Sequence, residues 1–224
     1  MIDDAYRKPG ELVESNDPNI ISFALNAVGE ETGELARAVR LYEAVRDQIA
    51  YDPYDTFGQP HAYSAKRALE RGRGFCIPKA ALLAASARAL GIPGRIGFAD
   101  VRNHLASPRL VKANNGDVFR WHAYTELYLN ENWVKATPAF DTALCERCGI
   151  QPLAFDGLND SVFQPYDQRQ RRHMEYIQDR GAFADVPFEL IIATFREHSP
   201  GLLDDQFHIK AAPFAAEVTI DPAR

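Results

Sequence analysis

Gly72-Arg73-Gly74-Phe75-Cys76-Ile77-Pro78-Lys79-Ala80 places a cysteine between a glycine-rich turn and a run with helical periodicity. Ile77, Ala80, Ala81, Ala84, Ala87 and Leu90 recur at helical spacing. Pro78 falls in the first turn, where its missing N–H is harmless, and Gly91 stops the run. Cys76 sits at or just before the first helical residue, so unpaired N–H groups and the positive end of the helix dipole favour its thiolate over its thiol. Such a position lowers a cysteine pKa from roughly 8.5 into the range of about 3.5–7.5. The competing reading is a small buried apolar side chain, the ordinary state of a free cysteine.

Working outward, Ser64 is placed to cap a short helix that Gly72 ends, directly before the cysteine helix. Further upstream, Leu35, Ala38, Val39, Tyr42, Val45 and Ile49 mark an amphipathic helix that stops before Tyr51-Asp52-Pro53-Tyr54. Residues 1 to about 30 read as turn-rich, with a break at Asn16-Asp17-Pro18. Downstream of Gly91-Ile92-Pro93-Gly94 the period changes. Residues 95–101, 119–129 and 133–137 alternate as strands, and Asn130-Glu131-Asn132 forms the turn between the last two. From about residue 145 the chain reads as irregular, with short helical pieces wrapping the core.

With 224 residues, 46% hydrophobic and 25% charged, the chain can bury one sizeable core. Its formal net charge of −6, with no basic stripe, argues against a nucleic-acid partner. The densest basic cluster, Arg169, Arg171 and Arg172, is flanked by Asp167 and Glu175 and reads as a solvated helix face. No apolar run approaches the ~20 residues of a membrane span, and Met1-Ile2-Asp3-Asp4 lacks the basic and apolar regions of a signal peptide. A cytoplasmic location without a membrane partner is expected, where the three cysteines stay reduced.

Acyl transfer by a thiolate needs a base and an acid. Of the histidines His61, His104, His122, His173, His198 and His208, only His122 lies within a strong strand pattern, sharing a face with Tyr124, Glu126 and Tyr128. A rigid strand fixes an imidazole better than a loop. The plainer alternative is a half-buried strand histidine with a satisfied hydrogen bond. His104 is the weaker rival, because it leads toward the turn-rich Ser107-Pro108.

In this order the parts resemble the transglutaminase-like superfamily, and a bacterial subgroup of it, whose members share a papain-like thiol core. The resemblance is carried by Gly74-Phe75-Cys76 with Lys79-Ala80 and Leu83, by Ala89-Leu90-Gly91-Ile92-Pro93-Gly94-Arg95, and by His122-Ala123-Tyr124-Thr125-Glu126-Leu127-Tyr128 followed by Trp133-Val134. The strings Ala99-Asp100-Val101-Arg102-Asn103-His104-Leu105 and His173-Met174-Glu175-Tyr176 extend it. It implies an α+β fold, a papain-like/transglutaminase-like core in which N-terminal helices pack on an antiparallel sheet. The expected layout is an N-terminal extension over 1–34, the thiol core over 35–142, and a C-terminal extension over 143–224 that wraps or caps it within one structural domain.

The same resemblance makes Cys76 the nucleophile and His122 the general base. A third residue should orient the imidazole, and in the family it is an aspartate in a Trp-x-x-x-Asp-Pro setting. Here Trp133-Val134-Lys135-Ala136-Thr137-Pro138-Ala139-Phe140-Asp141 puts Thr137 at that position. Three outcomes are open: Thr137 acts as a neutral orienter, Asp141 reaches back past Pro138 as a substitute, or the site is impaired. The backbone N–H of Cys76 is the natural first oxyanion donor, and Tyr51, Tyr54, Gln59 and Tyr63 are upstream candidates for the second.

Cys145-Glu146-Arg147-Cys148 is a CxxC pair. Zinc needs a second ligand pair and a redox pair needs a thioredoxin-like setting, so it reads as structural. Without a calcium-loop or phosphate-loop pattern, neither a cofactor nor a metal is expected. The expected activity is that of a cysteine hydrolase (protease or amidase) or acyltransferase acting on a protein, peptide or small amide, with hydrolysis favoured. A different class, a non-catalytic interaction module that keeps the fold for binding, is motivated by Thr137. Oligomeric state is not written in the sequence.

Overall fold

In the structure, a computed structural model, residues 2–104, 106–162, 174–204, 206–207 and 214 are described. The arginine cluster at 169–172, His173 and His208 lie outside these residues.

Helix α1 (Pro18–Val28) begins where a break was expected. Asp17 accepts the N–H groups of Asn19 and Ile20, and Pro18 occupies the first turn, so the Asp-Pro pair starts a helix instead of turning the chain. Helix α2 (Glu34–Gln48) follows the amphipathic pattern and leads into the short strand β1 (Ala50–Tyr51). A 3-10 helix (Pro60–Tyr63) precedes α3 (Ala65–Arg71), which is capped by Ser64 and ended by left-handed Gly72, and then β2 (Arg73–Gly74). Helix α4 (Cys76–Ala89) is the cysteine helix.

Strand β3 (Gly94–Asn103), helix α5 (Pro108–Asn114), strands β4 (Val118–Leu129) and β5 (Asn132–Ala136) and helix α6 (Thr142–Cys148) come next. Ser107 caps α5 and Pro108 opens it, the same substitution of a helix start for an expected turn. Asn130 (φ 47°) and Glu131 (φ 65°) are both left-handed, which makes the β4–β5 connection a tight two-residue hairpin. Beyond residue 145 the chain is more regular than expected: it adds strand β6 (Met174–Phe183), helix α7 (Phe188–His198) and a 3-10 helix (Pro200–Leu203).

The fold class is α+β. The larger sheet is antiparallel in the order β5-β4-β3-β6, and β1 and β2 form a separate parallel pair. Helix α4 is central. Every residue from Ile77 to Arg88 is buried, because α1, α2 and α3 surround it on one side and β3 and β4 on the other. The helix is therefore buried on every face, Lys79, Ser86 and Arg88 included, and its alanines allow these neighbours to approach closely.

Candidate active site

The parallel pairing of β1 with β2 sets Tyr51 beside Gly74, two residues ahead of Cys76. Gly74 tolerates no side chain easily, since a Cβ there would lie 3.1 Å from Pro78 Cγ. Cys76 is then the first residue of α4, as its sequence position requires.

Strand β5 pairs only with residues 125–129 of β4. Toward its start, β4 instead runs against the opening of α4. The backbone N–H of Ala123 points at the Cys76 sulfur, and the Thr125 hydroxyl donates to the Ala80 carbonyl at 2.8 Å. Four helical residues rise about 6 Å and two strand residues about 6.8 Å, so these two contacts lock helix and strand in register. His122, the residue before Ala123, is thereby brought to the start of α4; it is buried, with 6% of its surface exposed.

The thiol does not behave as the helix dipole alone predicts. Cys76 is half-buried, and desolvation pushes its pKa up to about 11, against the N–H groups of Ala123, Ile77 and Cys76 itself, which favour the thiolate. Burial and the start of the helix thus pull the thiol in opposite directions. Burial outweighs the end of the helix.

His122 follows a distorted backbone. Between the pairs Ala99↔His122 and Val101↔Phe119, the single residue Asp100 faces both Arg120 and Trp121, which is a β-bulge. Trp121 takes φ 61°, a conformation that costs a bulky residue about 1–3 kcal/mol. Four contacts hold it there. Its N–H donates to Asp100 Oδ1 at 3.2 Å, its indole N–H donates to Thr194 Oγ1 at 2.9 Å, its ring lies edge-on to Phe98 at 5.3 Å, and the Arg180 guanidinium sits 4.8 Å from its ring centre. Arg180 also binds buried Asp100 through both carboxylate oxygens, with Nη2 at 2.8 Å from Oδ2. The register of β6 slips at the same place, between its partners for Phe98 and Ala99, and this frees Arg180 to reach across.

Thr137 and Asp141 are placed differently. Thr137 is buried; its N–H donates to the Ser161 carbonyl and its own carbonyl accepts from the Tyr42 hydroxyl, while Oγ1 has no hydrogen-bond partner among the described residues. Asp141 caps α6. Its Oδ1 accepts from the Leu144 N–H at 2.9 Å and its Oδ2 from the Tyr51 N–H at 2.8 Å, so both oxygens serve the framework around β1. His104 ends up at the far end of β3, 3.5 Å from Glu175. His198 lies 3.6 Å from Glu197, and His61 is exposed in the first 3-10 helix.

Cys76 and His122 line one cavity of about 100 Å³. Tyr51, Phe75, Phe119, Trp121, Phe140 and Phe195 contribute to its walls, as do Cys145 and Cys148 from α6. Neither Thr137 nor Asp141 is among the lining residues. Burial pushes the thiols of Cys145 and Cys148 up to about 12 and about 11, so the CxxC pair supplies apolar wall at neutral pH. Of the upstream donor candidates, Tyr51 alone lines the cavity. The Tyr63 hydroxyl is committed to the Phe57 carbonyl at 3.0 Å, Tyr54 packs edge-on against Phe207 and Phe214, and Gln59 is exposed.

A cysteine opening a buried helix, faced by a histidine on an antiparallel strand, defines the papain-like class of thiol folds. Within it, the sequence pattern of the transglutaminase-like superfamily matches residues 21–138, more than half of the chain, and the chain belongs to that superfamily. No protein of curated function matches the sequence. Similar solved structures include a proposed cysteine protease from Cytophaga hutchinsonii, 17% identical with a TM-score of 0.48, over 82% of this chain and 55% of that one. Arylamine N-acetyltransferase from Nocardia farcinica is 14% identical with a TM-score of 0.49, over 90% of this chain and 76% of that one. The Salmonella typhimurium arylamine N-acetyltransferase is 14% identical with a TM-score of 0.44, over 84% and 72%.

Proposed function

We propose that the chain is a cysteine-nucleophile amide or peptide hydrolase, or an acyl transferase, working through a thioester on Cys76 with hydrolysis favoured. The observation that carries this reading is that Cys76 and His122 line the same cavity while the Ala123 N–H addresses the sulfur.

In this reading His122 takes the proton from the resting thiol as the sulfur attacks the substrate carbonyl. The C–S bond forms, and the carbonyl oxygen becomes an oxyanion facing the backbone N–H of Cys76 and the Tyr51 hydroxyl. His122 then protonates the departing amine, leaving a thioester. Water, deprotonated by His122, attacks the thioester, and the acid product leaves with the thiol restored. Thr137 is the better candidate to orient the imidazole, because Oγ1 is buried with capacity to spare whereas both Asp141 oxygens already hold backbone N–H groups. Arg120, the charged side chain on the cavity wall, repels a lysine ammonium, which favours water over a protein amine as the acceptor.

Alkylation by iodoacetamide at pH 7 tests the reading. Wild-type Cys76 should be modified with assistance from His122, and Cys76→Ser should lose the modification. His122→Ala should slow it about 100-fold, the scale of a lost general base. In that variant the residual reactivity should climb toward pH 11, where the isolated thiol ionises. Equal rates in the wild type and His122→Ala overturn the reading.

The second reading, a binding module that keeps the fold, draws on the raised thiol and on Thr137. Full biological activity in a Cys76→Ser protein is the result that would favour it.

A further inference from the structure

We infer that the cavity beside Cys76 is a subsite for an uncharged apolar side chain of the substrate, branched aliphatic or aromatic, carried next to the carbonyl under attack. This rests on the reading of Cys76 as the nucleophile and adds the chemistry of the group it recognises.

The walls are mostly hydrocarbon. At the end formed by α5, Leu110 meets Leu202 of the last 3-10 helix, and Val101, Phe119 and Met174 come from three neighbouring strands. A polar side chain at this end, Asn114, is already saturated. Its Nδ2 donates to the carbonyls of Gly116 and Val118 at 2.9 Å each, and its Oδ1 accepts from Ser199 at 2.9 Å. It therefore adds shape without offering a hydrogen bond to a ligand. No carboxylate lines the cavity among the described residues, and Arg120 is cationic, so a substrate ammonium finds repulsion there. A carboxylate entering this pocket would exchange its hydration for walls that are mostly hydrocarbon. The volume of about 100 Å³ approaches the ~150 Å³ that admits a benzene ring in an apolar protein cavity.

Two measurements test this. The first is the rate of Cys76 alkylation by N-acetyl-X chloromethyl ketones with X as Gly, Leu, Phe, Asp or Lys, assigned by peptide mapping. Here the Cys76 S–C bond forms, the C–Cl bond breaks, chloride departs and the thiol proton passes to His122. The Leu or Phe reagent should react at least about 10-fold faster than the Gly reagent, the scale of hydrophobic pocket discrimination, with Asp and Lys slower than Gly. The second is binding of the unreactive N-acetyl-X amides to the Cys76→Ser protein, followed by fluorescence of Trp121 on the cavity wall. The same ranking is expected there without thiol chemistry. Equal binding of Gly and Phe amides, or stronger binding of Asp or Lys, overturns the inference. An apolar ranking of the amides together with no accelerated alkylation by any reagent leaves the subsite standing and removes the nucleophile.

Discussion

At the scale of single residues, Lys79 shows what enclosing a charge does to this protein. It lies one turn beyond Cys76 with no exposed surface, and its Nζ donates to the carbonyls of Arg46 and Ile49 at the end of α2. Desolvation pulls its pKa down from 10.5 to about 7, although Asp141 and Asp47 pull the other way. Between pH 7 and 9 the unfolded chain keeps the lysine proton that the folded protein has released. Stability should therefore rise with pH across this window, by at most about 1.4 kcal/mol per pH unit. Above pH 9 the three thiols, all raised from 9.0, ionise first in the unfolded chain and reverse the slope. Urea denaturation from pH 6 to 9 should show the rise in the wild type and its loss in Lys79→Met; an unchanged slope in that variant would locate the titration elsewhere. Cys76 obeys the same physics. Its place at a helix start can be read from Gly74, Pro78 and the alanines, whereas the cavity it lines is completed by Phe119, Phe195 and Leu202, which come from distant segments. The sequence therefore reveals the cysteine's position and conceals its surroundings. Thr137 was legible as a departure from the family pattern, but the commitment of Asp141 to the N–H groups of Tyr51 and Leu144 required three-dimensional placement.

At the scale of elements, the bulge before His122 couples three strands. Asp100 belongs to the same phase of β3 as the buried Ile96 and Phe98, and a carboxylate in an apolar phase was the available signal that something must meet it. Arg180, its partner, lies in a segment whose alternation is too polar to announce a strand. Asp100→Ala leaves Arg180 without its carboxylate and Trp121 N–H without its acceptor. A loss of about 3 kcal/mol is expected, as when one member of a buried pair is removed. Iodoacetamide labelling of Cys76 should slow in the folded fraction, because the backbone leading into His122 is released. Asp100→Asn keeps an acceptor for the Trp121 N–H and should recover part of the rate; equal rates in all three proteins would show that the bulge does not position His122. The strands and helices around the site were legible from period and cap residues. Two helices were hidden because Asp17-Pro18 and Ser107-Pro108 have the composition of turns while performing as N-cap and first-turn pairs.

At the scale of the whole molecule, the N-terminal segment is tied to residues near the other end of the sequence. Asp185 accepts N–H groups of Glu11, Leu12 and Val13 at 2.5, 3.2 and 3.1 Å, besides that of Val186 at 2.9 Å. Gly10 passes so close that a Cβ would stand 2.6 Å from the Asp185 carboxylate, so a side chain there would push the carboxylate off the N–H groups it holds. Buried Arg88 at the end of α4 reinforces the junction, donating to the carbonyls of Lys8 at 2.8 Å, Gly94 at 2.9 Å and Ala184. No local pattern in the sequence advertises these ties, because each joins residues that carry no shared periodicity. Asp185→Ala orphans several N–H groups and should destabilise the protein by about 2 kcal/mol. Stopped-flow kinetics should place the loss in faster unfolding, since contacts of such long sequence separation form late; a matching fall in the folding rate would show instead that the junction forms early. There is a consequence for biosynthesis. Glu11 leaves the ribosome 174 residues ahead of the aspartate that receives it, and Cys76 and His122 are both made before Met174, Phe195 and Leu202, which line the same cavity. The walls around the thiol are therefore completed only when the last third of the chain has been made.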